Sequence, residues 1–360
     1  MDTQNNLRGD GKIPIISVEA ENLAEAAHKT IVACYEKGLR IETPKHRPGM
    51  TLGYDADITV RINHPEQEPK ICMPAMYEDP RGLMQYILEV THGIHNHWKK
   101  DKEHPQWWGY TYNERFVDQL PFIFQRIKHD WQSKKGEWGA DRGRPTGRDY
   151  QFAIWRAGED IVLEQEDPPC WQLGQIRLTK NSADEIVMSY LTHWRSRDLA
   201  KAWEENNVAQ IKLMTLLSMK ISDVLDTPIK LGCYIDHCSS LHLYGFYFDR
   251  DNFERTAKML QQTPYQDRSI ALDDYLDDPK RLKRIVAAQS DAEKKGHGLN
   301  VSEQVLTSLG YDLDNFPYPA EWDTWPKSWD AEPDIEKLAR VVDTKAIGKS
   351  VVGALNAMIR

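Results

Sequence analysis

The sequence has few of the features that mark membrane, secreted or nucleic-acid-binding proteins. No apolar run approaches the roughly 20 residues that a membrane-spanning helix needs. The opening MDTQNNLRGDGK lacks the apolar core of a signal peptide. Five cysteines give no paired framework, which favours a reducing compartment, and the formal net charge of -9 is opposite to what nucleic-acid binding requires. We therefore expect a cytoplasmic protein (host cytoplasm if it is viral) with a small-molecule ligand and no direct nucleic-acid or membrane partner.

What the sequence does contain is a succession of strand and helix patterns, with no internal repeat. Helical spacing of apolar residues predicts helices over 19–38, 81–91, 114–131 and 199–224, and near 335–358. Alternation predicts strands over 55–63, 150–156, 171–179 and 186–194, with one long strand or two over 230–248. These patterns predict an α+β fold, with a central mixed or antiparallel sheet packed by helices. We expect a flexible lead over residues 1–18, a main domain over 19–250 and a helical C-terminal extension over 251–360.

Cys170 is the first candidate for chemistry, because it follows Pro168 and Pro169. Prolines fix the backbone and donate no ladder hydrogen bond, so Cys170 should sit where a strand begins. A free thiol of pKa about 8.5 is only a few per cent thiolate near neutrality, and a nearby cation such as Arg195 would raise that fraction. A lone cysteine is nevertheless more often a small buried apolar residue than a nucleophile.

Three further groups suit a nucleotide. The segment 193–198 (HWRSRD) offers arginines and a hydroxyl for a phosphate, although a solvated strand end would read the same way. Asn206 presents a donor and an acceptor side by side, as one edge of a pyrimidine requires, and Asn207 competes for that role. Alternation along a strand places His242 and Tyr244 on one face, where they suit a ribose hydroxyl.

In their order along the chain, these residues resemble the thymidylate synthase and pyrimidine nucleotide hydroxymethylase superfamily. The matching motifs are Pro169-Cys170, Arg195-Ser196-Arg197-Asp198, Asn206 and His242-Leu243-Tyr244, preceded by Lys45-His46-Arg47-Pro48-Gly49 and Gly109-Tyr110-Thr111-Tyr112. The resemblance spans roughly residues 20–250 and is closest to a divergent branch with archaeal and phage-type members. It implies a thymidylate synthase-like catalytic domain over 19–250.

The resemblance also implies a reaction. Cys170 would add to carbon 6 of a pyrimidine 5′-monophosphate, so that carbon 5 captures the one-carbon unit of 5,10-methylenetetrahydrofolate. Tyr112 and Glu89 would assist as catalytic residues, although the spacing from Glu89 to Gly93 is shorter than in the family and a salt-bridged helix end is the alternative. The implied ligand contacts are Arg47, Arg148, Arg195 and Ser196 to phosphate, Asn206 to the base, His242 and Tyr244 to the sugar, and Asp198, Trp107 and Trp108 to folate. Packing in the core is an equally good interpretation of Trp107 and Trp108. Arg148 would reach the phosphate of a partner subunit, which implies a homodimer with a shared phosphate site.

Several departures from the family pattern bear on the product. Trp171 stands where synthases usually have His, Asp149 replaces the second cross-subunit arginine, and extra residues separate Asn206 from the late strand. The segment 354–360 does not resemble the apolar tail that seals a synthase site. Because hydride transfer needs water kept from the intermediate, we expect hydroxymethylation rather than methylation. Family members with Asn at the base-reading position act on uracil, so dUMP is the expected substrate; thymidylate synthesis and hydroxymethylation of dCMP or CMP are the alternatives.

Two other classes of protein compete with this interpretation. A metal enzyme would use one of two clusters: His92, His95 and His97, or Cys233, His237 and Cys238. Zinc needs about four ligands in suitable geometry, and in a strand Cys238 would oppose the other two members of its cluster, so we expect no metal. A non-catalytic nucleotide-binding protein is the second alternative, and retention of Cys170 argues against it.

Overall fold

One mixed sheet organises the described part of the chain. The computed structural model describes residues 11–43, 46–76, 80–93, 95–96, 109–132, 147–162, 167–276 and 322. The strands are β1 (Ile15–Ala20), β2 (Leu39–Ile41), β3 (Gly53–Ile62), β4 (Ile71–Cys72), β5 (Gln151–Ala153), β6 (Trp171–Lys180), β7 (Ile186–Trp194), β8 (Arg197–Asp198), β9 (Ile229–Leu243) and β10 (Ser269–Ile270).

The large sheet has the order β1-β3-β9-β7-β6-β5, with β2 paired to β3 and β8 to β9. Strands β1 and β3, β7 and β9, and β8 and β9 run parallel. The pairs β2–β3, β3–β9, β5–β6 and β6–β7 are antiparallel. Strands β4 and β10 form a separate two-stranded sheet. The expected α+β class with a central mixed sheet packed by helices is confirmed.

Helices account for most of the remaining described residues. They are α1 (Leu23–Lys37), α2 (Pro80–His92), α3 (Tyr112–Phe116), α4 (Leu120–Gln132), α5 (Ala157–Asp160), α6 (Trp203–Leu225), α7 (Gly245–Arg250), α8 (Phe253–Gln262) and α9 (Leu272–Leu276), with short 3-10 turns at Val117–Gln119 and Tyr265–Arg268. None of these helices is long and apolar enough to cross a membrane.

Helix α1 is bounded by a capping side chain at its start and by a glycine at its end. The Asn22 side chain accepts a hydrogen bond from the Glu25 N–H at 3.0 Å, which caps the first turn. The predicted apolar face is fully buried at Leu23, Ala27, Ile31 and Cys34. At Gly38 a Cβ would lie 2.5 Å from the Cys34 carbonyl oxygen, so only glycine fits there.

The start of the chain differs from the sequence prediction. The helix predicted from Glu19 begins instead at Leu23, because Ile15–Ala20 forms β1 in parallel register with β3. Residues 15–18 of this strand also fall within the stretch expected to be a flexible lead. Their burial alternates strictly, with Ile16, Val18 and Ala20 facing the core.

Strand β6 and strand β7 form the predicted hairpin. The Asn181 side-chain oxygen accepts hydrogen bonds from the N–H groups of Ala183 and Glu185, both at 3.0 Å, which shapes the turn. Cys170 directly precedes β6, so the prediction that a strand begins at this cysteine is confirmed.

Strand β9 is a single 15-residue strand that ends at Leu243. The prediction of strand structure as far as residue 248 is wrong, since α7 begins at Gly245. A Cβ on Gly245 would lie 1.7 Å from the Thr51 carbonyl oxygen, and this close backbone approach turns the chain out of the sheet.

The described residues after 250 pack against the elements before them. Gln261 donates to Glu36 on α1 at 2.8 Å, and Asn22 donates to the Tyr265 hydroxyl at 3.3 Å. The domain boundary at 250 stays a prediction. Residues 277–360, including the predicted helix near 335–358, lie outside the described residues except for the buried Trp322.

Candidate functional site

The Cys170 backbone is fixed by Arg195. The Arg195 N–H donates to the Cys170 carbonyl at 2.8 Å. The Arg195 guanidinium donates from Nε to the Pro169 carbonyl at 3.0 Å and from Nη2 to the Pro168 carbonyl at 2.6 Å. A guanidinium has five N–H groups, so Arg195 clamps the proline segment and still has donors for an anion.

The Cys170 thiol is half-buried and lies under opposing influences. Burial raises its pKa above the ordinary value, and Asp167 acts in the same direction. The positive charges of Arg195 and Arg197 lower the pKa. Burial prevails, so at neutral pH the free protein holds Cys170 mainly as the thiol.

Three tyrosine hydroxyls share the electrostatic environment of this thiol. The negative charge of a Cys170 thiolate raises the pKa of Tyr110, Tyr112 and Tyr244, on top of the larger effect of burial at each. The Tyr112 ring lies 5.7 Å from that of Tyr110 and packs edge-on against Trp171 at 5.6 Å. The structure therefore brings the predicted Tyr112 to the nucleophile, and Tyr110 is a neighbour that the sequence analysis did not single out.

Asn206 and Asn207 point to different neighbours. Asn206, with 8% of its surface exposed, donates from Nδ2 to the Tyr86 hydroxyl of α2 at 2.8 Å. Asn207 is fully buried and accepts at Oδ1 from the Tyr234 hydroxyl of β9 at 2.7 Å. Asn206 is thus bonded to helix α2, whereas Asn207 is bonded to strand β9 in the core.

Glu89 lies one helical turn from Tyr86 on α2. Its Oε1 accepts hydrogen bonds from His95 Nδ1 at 2.5 Å and from Gln85 Nε2 at 2.9 Å. The negative charge of Glu89 contributes to the raised pKa of Tyr86, after burial and Tyr112. Glu89 therefore belongs to the group around Asn206, with part of its acceptor capacity already used.

Asp198 is held by a ring of donors. Its Oδ1 accepts from the N–H groups of Ala200 at 3.0 Å and Lys201 at 3.2 Å, and its Oδ2 accepts from the Tyr247 hydroxyl at 2.5 Å. Burial raises the pKa of Asp198, against the opposing effects of these bonds and of His242. The carboxyl is fixed in position while one of its roughly four acceptor sites is unused by these bonds.

His242 and Tyr244 lie at the end of β9 beside this carboxyl. Their rings meet edge to face, with centroids 4.6 Å apart. Asp198 and Cys170 both act electrostatically on the Tyr244 hydroxyl. Tyr244 of the predicted sugar-binding pair is thus close enough to both Asp198 and Cys170 to be affected by their charges.

A buried network of charged and polar side chains lies in the core next to Asp198, and the sequence analysis did not identify it. Arg197 donates from Nη2 to Asp236 Oδ2, which also accepts from Trp203 Nε1 at 2.8 Å. Thr192 donates to Asp236 Oδ1 at 3.1 Å. The Arg197 guanidinium stacks over Trp194, 4.2 Å from the ring centroid. The partner of Arg197 is thus a core aspartate.

The other predicted phosphate-binding residues are exposed or half-buried. Arg47 is exposed on a turn closed by the Met50 N–H. Arg148 is exposed ahead of β5, where its carbonyl accepts from Gln175 at 2.8 Å, and Ser196 is half-buried beside Arg195. Trp107, Trp108 and His97 lie outside the described residues.

In the described residues, the side chains of the candidate metal clusters do not converge on one point. Cys233 and His237 are half-buried, whereas Cys238 is fully buried on the opposite face of β9. Across the described ranges, no group of three or more His, Cys, Asp or Glu side chains is arranged to hold a metal ion.

Comparison with solved structures finds chains of similar fold. The chain is similar to a thermostable thymidylate synthase A from Bacillus subtilis, with 15% sequence identity and a TM-score of 0.43 over 68% of this chain and 85% of that chain. No protein-family profile matches the sequence, and no curated protein does. The mixed sheet packed by helices is established by the chain's own strand pairings.

Proposed function

We propose that the chain is a folate-dependent one-carbon transferase that hydroxymethylates carbon 5 of dUMP, with Cys170 as the nucleophile. One observation carries the proposal. Three residues that match motifs of one superfamily, and that are far apart in sequence, adjoin one half-buried thiol: Tyr112, Arg195 and Tyr244. A non-catalytic role gives no reason for a cysteine at their centre.

In the proposed reaction, the Cys170 thiolate adds to carbon 6 of the pyrimidine and makes carbon 5 nucleophilic. 5,10-Methylenetetrahydrofolate would supply the methylene carbon that carbon 5 takes up, and tetrahydrofolate would leave with the electron pair of the broken carbon–nitrogen bond once the carbon 5 proton is lost. A water molecule held by Tyr112 would accept the proton that leaves carbon 5, and Glu89 would assist proton transfer at the base. Water then adds to the methylene carbon, and Cys170 departs from carbon 6.

The remaining residues hold the substrate. We assign the phosphate to Arg47, Arg195 and Ser196 together with Arg148 of the partner subunit, because arginine matches phosphate geometry. The spare donors of the Arg195 guanidinium support this assignment. His242 and Tyr244 hold the sugar.

Asp198 is the residue that we propose as the contact to the pterin ring of folate. A pterin ring presents N–H donors, and Asp198 keeps an acceptor site after its bonds to Ala200, Lys201 and Tyr247. The residues present therefore fit the group. Trp107 and Trp108 are proposed as its stacking surface.

The product and the base are inferred from side chains in the site. Asn206 favours uracil. Trp171 donates its indole N–H to the Leu173 carbonyl at 2.7 Å and is fully buried, so it offers no polar group in place of the synthase His. We take this departure to favour a hydroxymethyl product.

We also propose a homodimer that uses the second face of the large sheet. Along β7, the residues that alternate with the buried ones stay half-exposed in the described part of the chain. Apolar members of this face are Leu173, Leu191 and Ile235. A second copy of the chain would cover them and bring Arg148 to a neighbouring phosphate.

The function is tested by incubating the protein with 5,10-methylenetetrahydrofolate and each of dUMP, dCMP, UMP and CMP. Mass spectrometry of the nucleotide should show a hydroxymethyl product from dUMP, whereas a methyl product with dihydrofolate would identify a synthase. Cys170→Ala should abolish turnover, and Cys233→Ala, on the other face of the sheet, should retain it. Failure to modify any of the four nucleotides would overturn the proposal.

A further inference from the structure

The orientation of the Asn206 amide is set by one neighbour. Helices α2 and α6 pack together, and at their contact Asn206 Nδ2 donates to the Tyr86 hydroxyl at 2.8 Å. Asn206 is 8% exposed. The bond joins residues 120 positions apart in sequence.

The surroundings of Tyr86 determine which partner donates. A tyrosine hydroxyl is able to donate or to accept. The carboxylates of Glu89 and Glu205 both act on it electrostatically, which favours an orientation of the hydroxyl hydrogen toward them. The oxygen lone pair is thereby left for the Asn206 amide.

In this arrangement the two N–H groups of the Asn206 amide have different partners. An amide has one N–H beside its oxygen and one that points away from it; with Tyr86 on the outer N–H, the N–H beside Oδ1 is available to a base. Uracil presents an N3–H donor next to an O4 acceptor, which match Oδ1 and that second N–H. Cytosine presents the reverse pattern and requires a flipped amide, which would turn Oδ1 toward Tyr86.

We propose that Tyr86 is a specificity-determining positioning residue, which holds the Asn206 amide in the orientation that pairs with uracil rather than cytosine. The inference rests on the proposed function, because it concerns the base-reading residue of that site. A flipped amide gives up the bond to Tyr86 unless the hydroxyl turns away from Glu89 and Glu205. One hydrogen bond of this kind corresponds to about tenfold in selectivity.

The test compares kcat/KM for dUMP and dCMP in the wild type and in Tyr86→Phe. The wild type should prefer dUMP, and Tyr86→Phe should lower the dUMP-to-dCMP ratio about tenfold. A purely structural role would reduce both values together and leave the ratio unchanged. Tyr190→Phe is the matched control, since Tyr190 bonds to Gln210 one turn further along α6 at 3.0 Å and its loss should not move the ratio.

The outcomes separate this inference from the proposed function. An inactive wild type overturns the proposed function, whereas an active wild type with the same ratio in Tyr86→Phe overturns only the role of Tyr86. A wild-type preference for dCMP also overturns it. If Tyr86→Phe turns over too slowly, equilibrium binding of the two nucleotides by calorimetry gives the same ratio. In an Asn206→Ala background, Tyr86→Phe should have no further effect on that ratio.

Discussion

At the scale of single residues, the Cys170 thiol is held between burial and two arginines. Burial raises its pKa more than Arg195 and Arg197 lower it. The Cys170 thiol of the free protein is therefore kept mostly protonated at neutral pH, in contrast to exposed reactive cysteines beside cations.

This balance predicts the pH dependence of Cys170 alkylation. The rate of reaction with iodoacetamide should rise with pH, with a midpoint above the value of about 8.5 for a free thiol, because only the thiolate reacts. Arg195→Ala should move the midpoint higher still, since it removes the largest effect that lowers the pKa. Mass spectrometry of the peptide that contains Cys170 measures the rate.

Two variants make the alkylation experiment decisive. Arg195→Lys keeps the charge and should stay closer to the wild type than Arg195→Ala. Arg177→Ala, exposed on β6, should leave the midpoint unchanged. A midpoint below that of a free thiol would contradict the dominance of burial.

The residues of the site were only partly predictable from sequence. Two prolines placed Cys170 at the start of a strand, because proline restricts the backbone locally. The role of Tyr86 was not predictable, since its helix pattern indicates a packed position and says nothing of a partner on another helix. The ion pair of Arg197 with Asp236 was missed for the same reason, because the direction that a side chain takes after β7 depends on tertiary contacts.

At the scale of elements, Asp236 joins three of them. Its carboxylate accepts hydrogen bonds from Arg197 on β8, Trp203 at the start of α6 and Thr192 on β7. All of these side chains are buried or nearly so. The orientation of β8, which leads into Asp198, is therefore tied to the centre of the sheet.

Asp236→Asn should destabilise the protein by about 3–5 kcal/mol, because it leaves the Arg197 cation buried without its counter-charge. Urea denaturation followed by circular dichroism measures the free energy of unfolding. Asp184→Asn breaks an exposed pair with Lys180 at 2.8 Å and should change stability by less than about 1 kcal/mol. Equal effects of the two substitutions would contradict the assigned role of Asp236.

Strands and helices were predicted correctly where the apolar pattern was long. They were predicted wrongly where a short strand pairs with a strand that is distant in sequence. The β6–β7 hairpin carries its own turn signal at Asn181. In contrast, Ile15–Ala20 offers only three buried positions, and its parallel partner β3 is distant in sequence, so the strand was partly assigned to a helix. The helix predicted over 114–131 is broken into α3, a 3-10 turn and α4, with Pro121 in the first turn of α4, where its missing N–H costs no hydrogen bond.

At the scale of the whole molecule, the proposed dimer makes the site depend on two chains. Cys170→Ala and Arg148→Ala should each be inactive or strongly impaired alone. Mixed subunits should recover activity, because one site per dimer then has both an intact thiol and an intact partner arginine. Turnover of dUMP after mixing and subunit exchange measures the recovery.

A third substitution links this recovery to the proposed dimer surface. Leu191→Glu places a charge on the half-exposed sheet face and should give monomers in sedimentation experiments. Introduced into both inactive variants, it should prevent recovery. Recovery that persists in monomers would exclude a shared site across this face.

Strand β9 has a further consequence, for the order in which the chain acquires structure during synthesis. It pairs with β3, β7 and β8. The sheet is therefore incomplete until residues 229–243 have been synthesised. Such long-range pairing slows folding and leaves strand edges open to association with other chains. A nascent chain that stops before β9 has Cys170 but neither the counter-charge of Arg197 nor His242. The reactive centre is thus completed by a late-translated strand, and the partly made protein is the state most in need of a chaperone.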